Sequence, residues 1–288
     1  MDNIEDEIVP SRERKDYGLL HQPNKYRALL TNSLTACLLT YLLGYLSLNF
    51  ITALISSLIG IPTRLYSHMV VFALAHRGLK NSLNTQLMFL LPPVLLGIFT
   101  YLVYRTGRSK IFSKGYGRHL LFWIVVNGYT CCFGALISGV MLKTNAGWVA
   151  KHSGVPYYVF LIVAALLAIA WTAIGIRLVK LLMRTVYSSH LVALANRGMT
   201  LFYLIWAPYI LSSVTILLIM YPEFNRFFVL MWFLMLMVLL SLSYVTRHTF
   251  VQVRIRDMPD YSISWVAVSL LVLVLICLRI GIYHPIRF

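Results

Sequence analysis

Negative charge is scarce in this chain. Asp and Glu together number nine, against 25 Lys and Arg, and six of the nine acids fall within the first 16 residues. The other three, Glu223, Asp257 and Asp260, lie in predicted loops, so no long apolar segment contains a carboxylate. Ion-coupled carriers commonly use acids inside the membrane, intramembrane aspartyl proteases need two, and magnesium-dependent enzymes need clustered oxygen ligands. The sequence therefore argues against all three classes.

Other catalytic and cofactor signatures are also missing. The sequence has neither a His-Glu-x-x-His zinc motif nor a phosphate-binding loop. Its four cysteines fall inside predicted helices, where they behave as small apolar groups. Haem between helices needs facing histidines, which would require that predicted helix ends converge. The sequence thus predicts no metal and no cofactor, with haem as the alternative that converging ends would allow. The histidines concerned are His68, His76, His119, His190 and His248.

Long apolar runs dominate what is present. Hydrophobic residues make up 59% of the 288, charged residues 12%, and the mean hydropathy is +0.77. Globular chains are closer to half apolar and a quarter charged, and a helix crosses a bilayer core with roughly 20 apolar residues. The sequence predicts an all-α, polytopic membrane bundle of seven spans. The spans are 31–59, 86–104, 120–142, 159–182, 200–220, 227–246 and 263–282.

The first predicted span is longer than a bilayer core requires. We expect that it tilts, projects beyond the membrane, or breaks near Asn49 into a span and a re-entrant piece. Gly60 and Pro62 should end it. The domain division that follows is a cytoplasmic polar tail over 1–27 and a transmembrane helical domain over 28–288.

The distribution of Lys and Arg predicts the orientation. With the N-terminus in the cytoplasm, the inside segments are the tail, 105–118, 177–197 and 247–256. They hold five, five, four and three bases, 17 in all, which leaves eight of 25 outside. Because cytoplasmic loops carry the excess of Lys and Arg, this orientation is favoured. We interpret the protein as integral to a membrane, with the bacterial inner membrane as the expected location.

Two near-identical hexapeptides suggest an internal repeat. "ALAHRG" at 73–78 and "ALANRG" at 193–198 are 120 residues apart, and the same offset aligns Arg64 with Arg184. Each copy follows a long apolar helix and precedes a proline-containing span, a plan that predicts an inverted 3+3 repeat plus one extra helix. Chance similarity is the alternative, since Ala and Leu are common here. The half-repeats would be 28–142 and 159–246, and the extra span 263–282.

Residues 64–80 are predicted to form an interfacial helix. On such a helix Arg64 and His68 share one stripe, and Arg77 and Lys80 lie on the opposite side. The Gly after each Arg should end its helix. The bases would either snorkel to the interface or hold an anion at a substrate entrance. Together with the loop bases, the anion- or lipid-binding candidates are Arg64, His68, Arg77, Lys80, Arg184, His190, Arg197, Arg105, Arg108, Lys110, Lys114 and Arg118.

The span around residues 127–139 is the most polar and glycine-rich. Polar side chains inside a membrane need protein partners, so this helix is predicted to face protein. If a central cavity exists, its lining candidates are Asn127, Tyr129, Thr130 and Ser138.

Three function classes remain. The favoured one is a non-catalytic subunit or assembly factor of a membrane complex, which binds protein partners and anionic lipid through its tail and basic loops. A second is a small transporter or permease-type subunit for a lipid-like or anionic substrate, and a third is an interfacial His/Arg enzyme or a haem redox protein. The net charge of +16 reflects bases facing an anionic leaflet, so nucleic acid is not expected as a partner.

The orientation can be tested by labelling. After removal of the native thiols, single cysteines at Ser113 and Ser153 should react with an impermeant reagent from opposite sides of the membrane. The 17-to-8 division of Lys and Arg is the reason for this expectation. Labelling of both positions from one side would rule out the seven-span arrangement.

Overall fold

In the computed structural model, 83% of the described residues are helical. It describes residues 22–72, 82–107, 115–186, 191, 196–221, 225–248, 262–281 and 283–288. The helices are α1 (Gln22–Leu58), α2 (Ser82–Gly107), α3 (Tyr116–Tyr129), α4 (Ala135–Met141), α5 (Ala146–His152), α6 (Tyr157–Arg177), α7 (Val179–Thr185), α8 (Arg197–Leu201), α9 (Ala207–Met220), α10 (Arg226–His248) and α11 (Trp265–Gly281). Two π-helical turns, Thr130–Gly134 and Phe202–Trp206, join α3 to α4 and α8 to α9.

Six helical segments among the described residues are long and apolar enough to cross a membrane. The predicted helical class is therefore confirmed in this coarser form. α11, with 17 residues, is a shorter apolar helix. The predicted span 159–182 is divided, because α6 ends at Arg177 and α7 begins at Val179. The six segments are Tyr26–Leu58, Leu83–Gly107, Tyr116–Met141, Tyr157–Arg177, Arg197–Met220 and Arg226–His248.

α1 is a single uninterrupted helix of 37 residues. At 1.5 Å per residue it is about 55 Å long. It contains Asn49 without a break, so the alternative of a span plus a re-entrant piece is wrong. Its first turn begins at Gln22, inside the segment that the sequence assigns to the polar tail. It ends at Leu58, and Gly60 follows with a φ of 75°, a value that suits glycine.

α1 packs against α3 through polar contacts between parallel helices. The indole Nε1 of Trp123 donates to Ser33 Oγ at 2.8 Å, and the amide Nδ2 of Asn127 donates to the Cys37 carbonyl at 2.9 Å. Residue numbers rise together along both helices, so the helices run in the same direction. In a membrane such contacts satisfy groups that lipid cannot. They account for the burial of the segment Tyr116–Met141, 72% of whose most apolar stretch is buried, and agree with its predicted orientation toward protein.

Contacts with α1 also establish the direction of α10. Tyr41 meets Trp232 with ring centroids 4.3 Å apart, and Tyr45 meets Phe228 at 4.4 Å, both edge to face. Because the later residue of α1 in these two pairs contacts the earlier residue of α10, α10 is antiparallel to α1. Edge-to-face pairs of this kind add about 0.5–1.5 kcal/mol beyond area burial.

α11 lies parallel to α1. At one end, Asn32 Nδ2 donates to the Ser262 carbonyl at 2.9 Å, just before α11 begins. At the other end, Ser67, which follows α1, donates from Oγ to the Leu278 carbonyl at 2.9 Å. α11 therefore extends along the bundle from the end where α1 begins to the end where α1 finishes.

A small antiparallel sheet lies at the end of the bundle where α1 finishes, here called the sheet end. It comprises β1 (Thr63–Leu65), β2 (Val70–Phe72) and β3 (Ile286–Arg287) in the order β2-β1-β3. The predicted helix over 64–80 is therefore wrong for residues 64–72, and 73–81 lie outside the described residues. Two physical causes favour strands: the break at Gly60–Pro62, and pairing of β1 with the distant β3, which local periodicity cannot reveal.

The described flanks of the two hexapeptides differ in structure. Arg64 lies in β1, whereas Arg184 lies in α7. Gly198 lies in the first turn of α8, so its predicted role as a helix stop is wrong. Residues 73–78 and 193–195 lie outside the described residues. The inverted repeat stays a prediction, without support from the flanks.

The corner between α4 and α5 depends on two small residues. A Cβ atom at Gly139 would lie 2.9 Å from the Ala146 nitrogen, and one at Gly147 would lie 2.7 Å from the Gly139 carbonyl oxygen. Both neighbours are backbone atoms, which cannot rotate away as a side chain can. The turn also holds Lys143 and Asn145 at positive φ, 54° and 42°.

Gly147→Ala should therefore lower the free energy of unfolding by about 1–3 kcal/mol, as overpacking does. Gly198→Ala is the matched control, because both glycines are the second residue of a short helix and a Cβ at Gly198 meets nothing within 4 Å. The control should be neutral or stabilising by up to about 1 kcal/mol. Denaturant unfolding in detergent measures both, and equal effects would contradict the predicted close approach.

Candidate functional site

Basic side chains from several helices surround the end of the bundle where α1 begins, here called the cationic end. Helices α2, α6 and α10 finish at this end, and α3 and α7 begin near it. Their bases are exposed, except for the half-buried Arg118. The described residues include no Asp or Glu, so these cations have no carboxylate side chain beside them in this part of the chain. The basic residues at the cationic end are Arg105, Arg118, Arg177, Lys180, Arg184 and Arg247.

Arginines at the cationic end bind helix C-termini. Arg197 is buried, 6% exposed, and its Nη1 donates to the Thr246 carbonyl at 3.0 Å, in the last turn of α10. Arg118 Nη1 donates to the Arg184 carbonyl at 3.1 Å, near the end of α7. Carbonyls there lack helical partners and carry the negative end of the helix dipole. Within the described residues, Arg197 thus has a backbone carbonyl at a helix end as its partner.

Arg279 repeats this arrangement at the sheet end, and sequence reasoning did not single it out. Its Nη1 donates to the carbonyls of Ile219 at 2.8 Å and Tyr221 at 2.7 Å, where α9 ends. Its guanidinium also lies 5.6 Å from the ring centroid of Tyr283. The available sequence signal was a lone Arg near the end of the last apolar run.

The structure separates the predicted anion-binding residues into two groups. Arg64 is exposed in β1 and lies opposite Arg287 of β3, a pairing of like charges. His68 is buried next to the sheet, and its backbone carbonyl accepts from Tyr45 Oη at 2.7 Å. Both are therefore at the sheet end, whereas Arg105, Arg118, Arg184 and Arg197 are at the cationic end. The candidates outside the described residues are Arg77, Lys80, Arg108, Lys110, Lys114 and His190.

The predicted cavity candidates lie inside the helix packing. Asn127 Nδ2 also donates to Thr40 Oγ1 at 2.7 Å, and Thr130 Oγ1 donates to the Val126 carbonyl at 2.8 Å. Ser138 Oγ donates to the Gly134 carbonyl. Tyr129 packs against Trp171, with ring centroids 5.8 Å apart.

A cavity of about 240 Å³ lies at the sheet end instead, and none of these four residues lines it. This cavity, here called the sheet-end cavity, is lined by α1, by β2 and the residue before it, and by α2. The first residue of α4, the turn before α5 and the residues around the start of α10 complete its wall. Among the residues that the structure describes, none that lines the cavity is charged. Polar groups come from Asn49, Thr52, Asn145 and Asn225, and the rest of the wall is mostly apolar.

Two walls of the sheet-end cavity are joined by hydrogen bonds. Asn225 Nδ2 donates to the His68 carbonyl at 2.9 Å and to Tyr45 Oη at 3.2 Å. Asn225 Oδ1 accepts from the Phe227 backbone N–H at 3.0 Å. These contacts hold the start of α10 against the turn that precedes β2. Sequence reasoning missed this site because Asn225 is distant from α1 along the chain.

The histidines that haem would need are divided between the two ends of the bundle. His68 lies at the sheet end, whereas His119, at the start of α3, and His248, at the end of α10, lie at the cationic end. His76 and His190 are outside the described residues. Within the described ranges, no three His, Cys, Asp or Glu side chains form a group that could hold a metal ion.

Comparison with protein-family models, with curated proteins and with solved structures gives no match. The residues of the chain itself therefore carry the functional argument.

Arg197→Gln should destabilise the protein more than Arg118→Gln. The first change removes a charged hydrogen bond inside the protein and should cost about 1.5–3 kcal/mol. The second removes a similar contact that solvent screens, and it should cost less than about 1 kcal/mol. Unfolding of both variants in the same detergent provides the measurement. Equal costs would contradict the structural role inferred for Arg197.

Proposed function

We propose that this chain is a non-catalytic subunit or assembly factor of a membrane complex, which binds anionic partners through its cationic end. The observation that carries the proposal is the convergence of exposed bases from α2, α6, α7 and α10 at one end of an apolar bundle. Each base near an anionic surface contributes about 1 kcal/mol. Anionic lipid headgroups and acidic protein segments are the expected partners.

The proposed topology has seven crossings with the N-terminus in the cytoplasm. The seventh crossing is supported by the course of α11, which runs parallel to α1 along the bundle. Its 17 residues are about 25 Å long, which is close to the thickness of a hydrocarbon core of roughly 30 Å. The cationic end would then face the cytoplasm, where the positive-inside rule places Lys and Arg. In a bacterium this corresponds to the inner membrane.

A transporter is the second candidate, and the π-helical turns favour it. π-bulges interrupt helical hydrogen bonding and occur frequently at functional sites. The turn Phe202–Trp206 contacts α1, where Ser33 Oγ donates to the Leu204 carbonyl at 2.6 Å. The turn Thr130–Gly134 lies in the polar span. A substrate path between these helices would support this candidate over the subunit role.

Lipid binding provides the test of the proposed function. In the triple variant Arg177→Gln, Lys180→Gln and Arg184→Gln, affinity for phosphatidylglycerol should fall at least tenfold, because about 3 kcal/mol of attraction is removed. The matched control neutralises Lys143 and Lys151, which are exposed near the opposite end. Native mass spectrometry of lipid-bound protein measures the affinities. The subunit role further predicts a stoichiometric protein partner after mild solubilisation.

Equal loss in the triple variant and in the control would contradict a site at the cationic end. If the protein purifies without any partner and exchanges a labelled substrate across liposomes, the transporter replaces the subunit as the better function.

A further inference from the structure

We infer that the sheet-end cavity binds the head of an uncharged amphipathic lipid, of the monoacylglycerol type, whose oxygen atoms accept a hydrogen bond from Asn49. This site lies at the end of the bundle opposite the cationic end. The inference therefore stands independently of the proposed function.

The first argument is an unused hydrogen-bond donor in the wall. Asn49 is 7% exposed, and its amide Nδ2, which lies near the Tyr45 hydroxyl, has no hydrogen-bond partner of good geometry within the described part of the chain. A buried donor without a partner is costly, and native proteins leave few of them. Two other polar side chains of the wall already have partners: Thr52 Oγ1 donates to the Leu48 carbonyl at 2.8 Å, and both amide atoms of Asn225 are hydrogen-bonded. A ligand with an acceptor oxygen next to Asn49 Nδ2 would therefore satisfy this donor.

The second argument is that the described residues lining the cavity include no charged side chain. A phosphate or carboxylate entering such a site would lose its hydration without meeting a cation, which is strongly unfavourable. Hydroxyl, ester and ether oxygens lose far less and still accept from an amide. The chemistry thus selects an uncharged polar head.

The third argument is the apolar part of the wall. Met69, Phe72, Met88, Phe89 and Pro93 line it, from the β2 region and α2. Methionine side chains adapt to irregular apolar groups. The volume of about 240 Å³ is below the usual 300–1,000 Å³ of sites for drug-sized ligands. It therefore suits a small head and the first carbons of a chain rather than a whole lipid.

The experiment uses the full chain in phosphatidylcholine nanodiscs. The probe is a monoacylglycerol with a diazirine near its glycerol and an alkyne at the end of its acyl chain. After illumination, labelled peptides should be enriched in 69–72 and 88–93. Unlabelled monooleoylglycerol should compete, and monooleoyl phosphatidic acid, which differs by a charged phosphate, should compete at least tenfold less well.

Variants of α1 connect the labelling to the wall. Asn49→Leu should weaken binding about three- to tenfold, the expected effect of one lost hydrogen bond. Ser47→Leu is the matched control, since Ser47 is exposed on the same helix and does not line the cavity, and it should label like the native protein. If Asn49→Leu does not fold, Thr52→Phe, at a half-buried position, should fill the cavity and reduce labelling instead.

Three results would each overturn the inference. The first is labelling spread over the exposed faces of α6 and α11 without enrichment at the cavity. The second is equal competition by the phosphatidic acid analogue. The third is native labelling in the folded Asn49→Leu or Thr52→Phe variant.

Discussion

Backbone carbonyls serve as the main acceptors for buried side chains in this protein, and its architecture depends on this. Lipid offers no partner to a polar group, and the described residues contain no Asp or Glu. The buried donors of Asn127 and Arg197 therefore end on helix carbonyls, as does the exposed Arg279. For the two arginines the acceptors lie at helix ends, where carbonyls are unpaired. Each such bond fixes the end of one helix against another.

The central position of α1 follows from the same constraint. Its side chains reach α3, α10 and the segment before α11, so three separate parts of the chain are positioned against one rigid helix. α6, by contrast, is mostly exposed, with only 17% of its most apolar stretch buried. The helices at the centre of the bundle are therefore joined by hydrogen bonds, those at its periphery expose apolar side chains, and the charged side chains lie at its ends.

Local sequence patterns located the six long apolar helices but predicted neither the sheet nor the cavity. The apolar runs located the long helices because burial in lipid selects for continuous hydrophobicity. The same patterns predicted a helix at Arg64 and His68, where pairing with β3 produces a strand instead. Asn49 attracted attention as a break in α1, although its importance lies in the wall it shares with Asn225. Both errors arise from contacts between residues far apart in sequence, which no periodicity encodes.

The position of β3 has a consequence for biosynthesis. β1 pairs with a strand more than 200 residues later in the chain, through bonds such as Phe288 N–H to the Thr63 carbonyl at 2.9 Å. Translation proceeds from the N-terminus, so β1 can pair with β3 only after all the helices between them have been synthesised. Completion of the sheet then joins the end of the chain to the segment that follows α1. A chain stalled before that step would leave one edge of β1 unpaired, and an unpaired strand edge is a template for pairing with other chains.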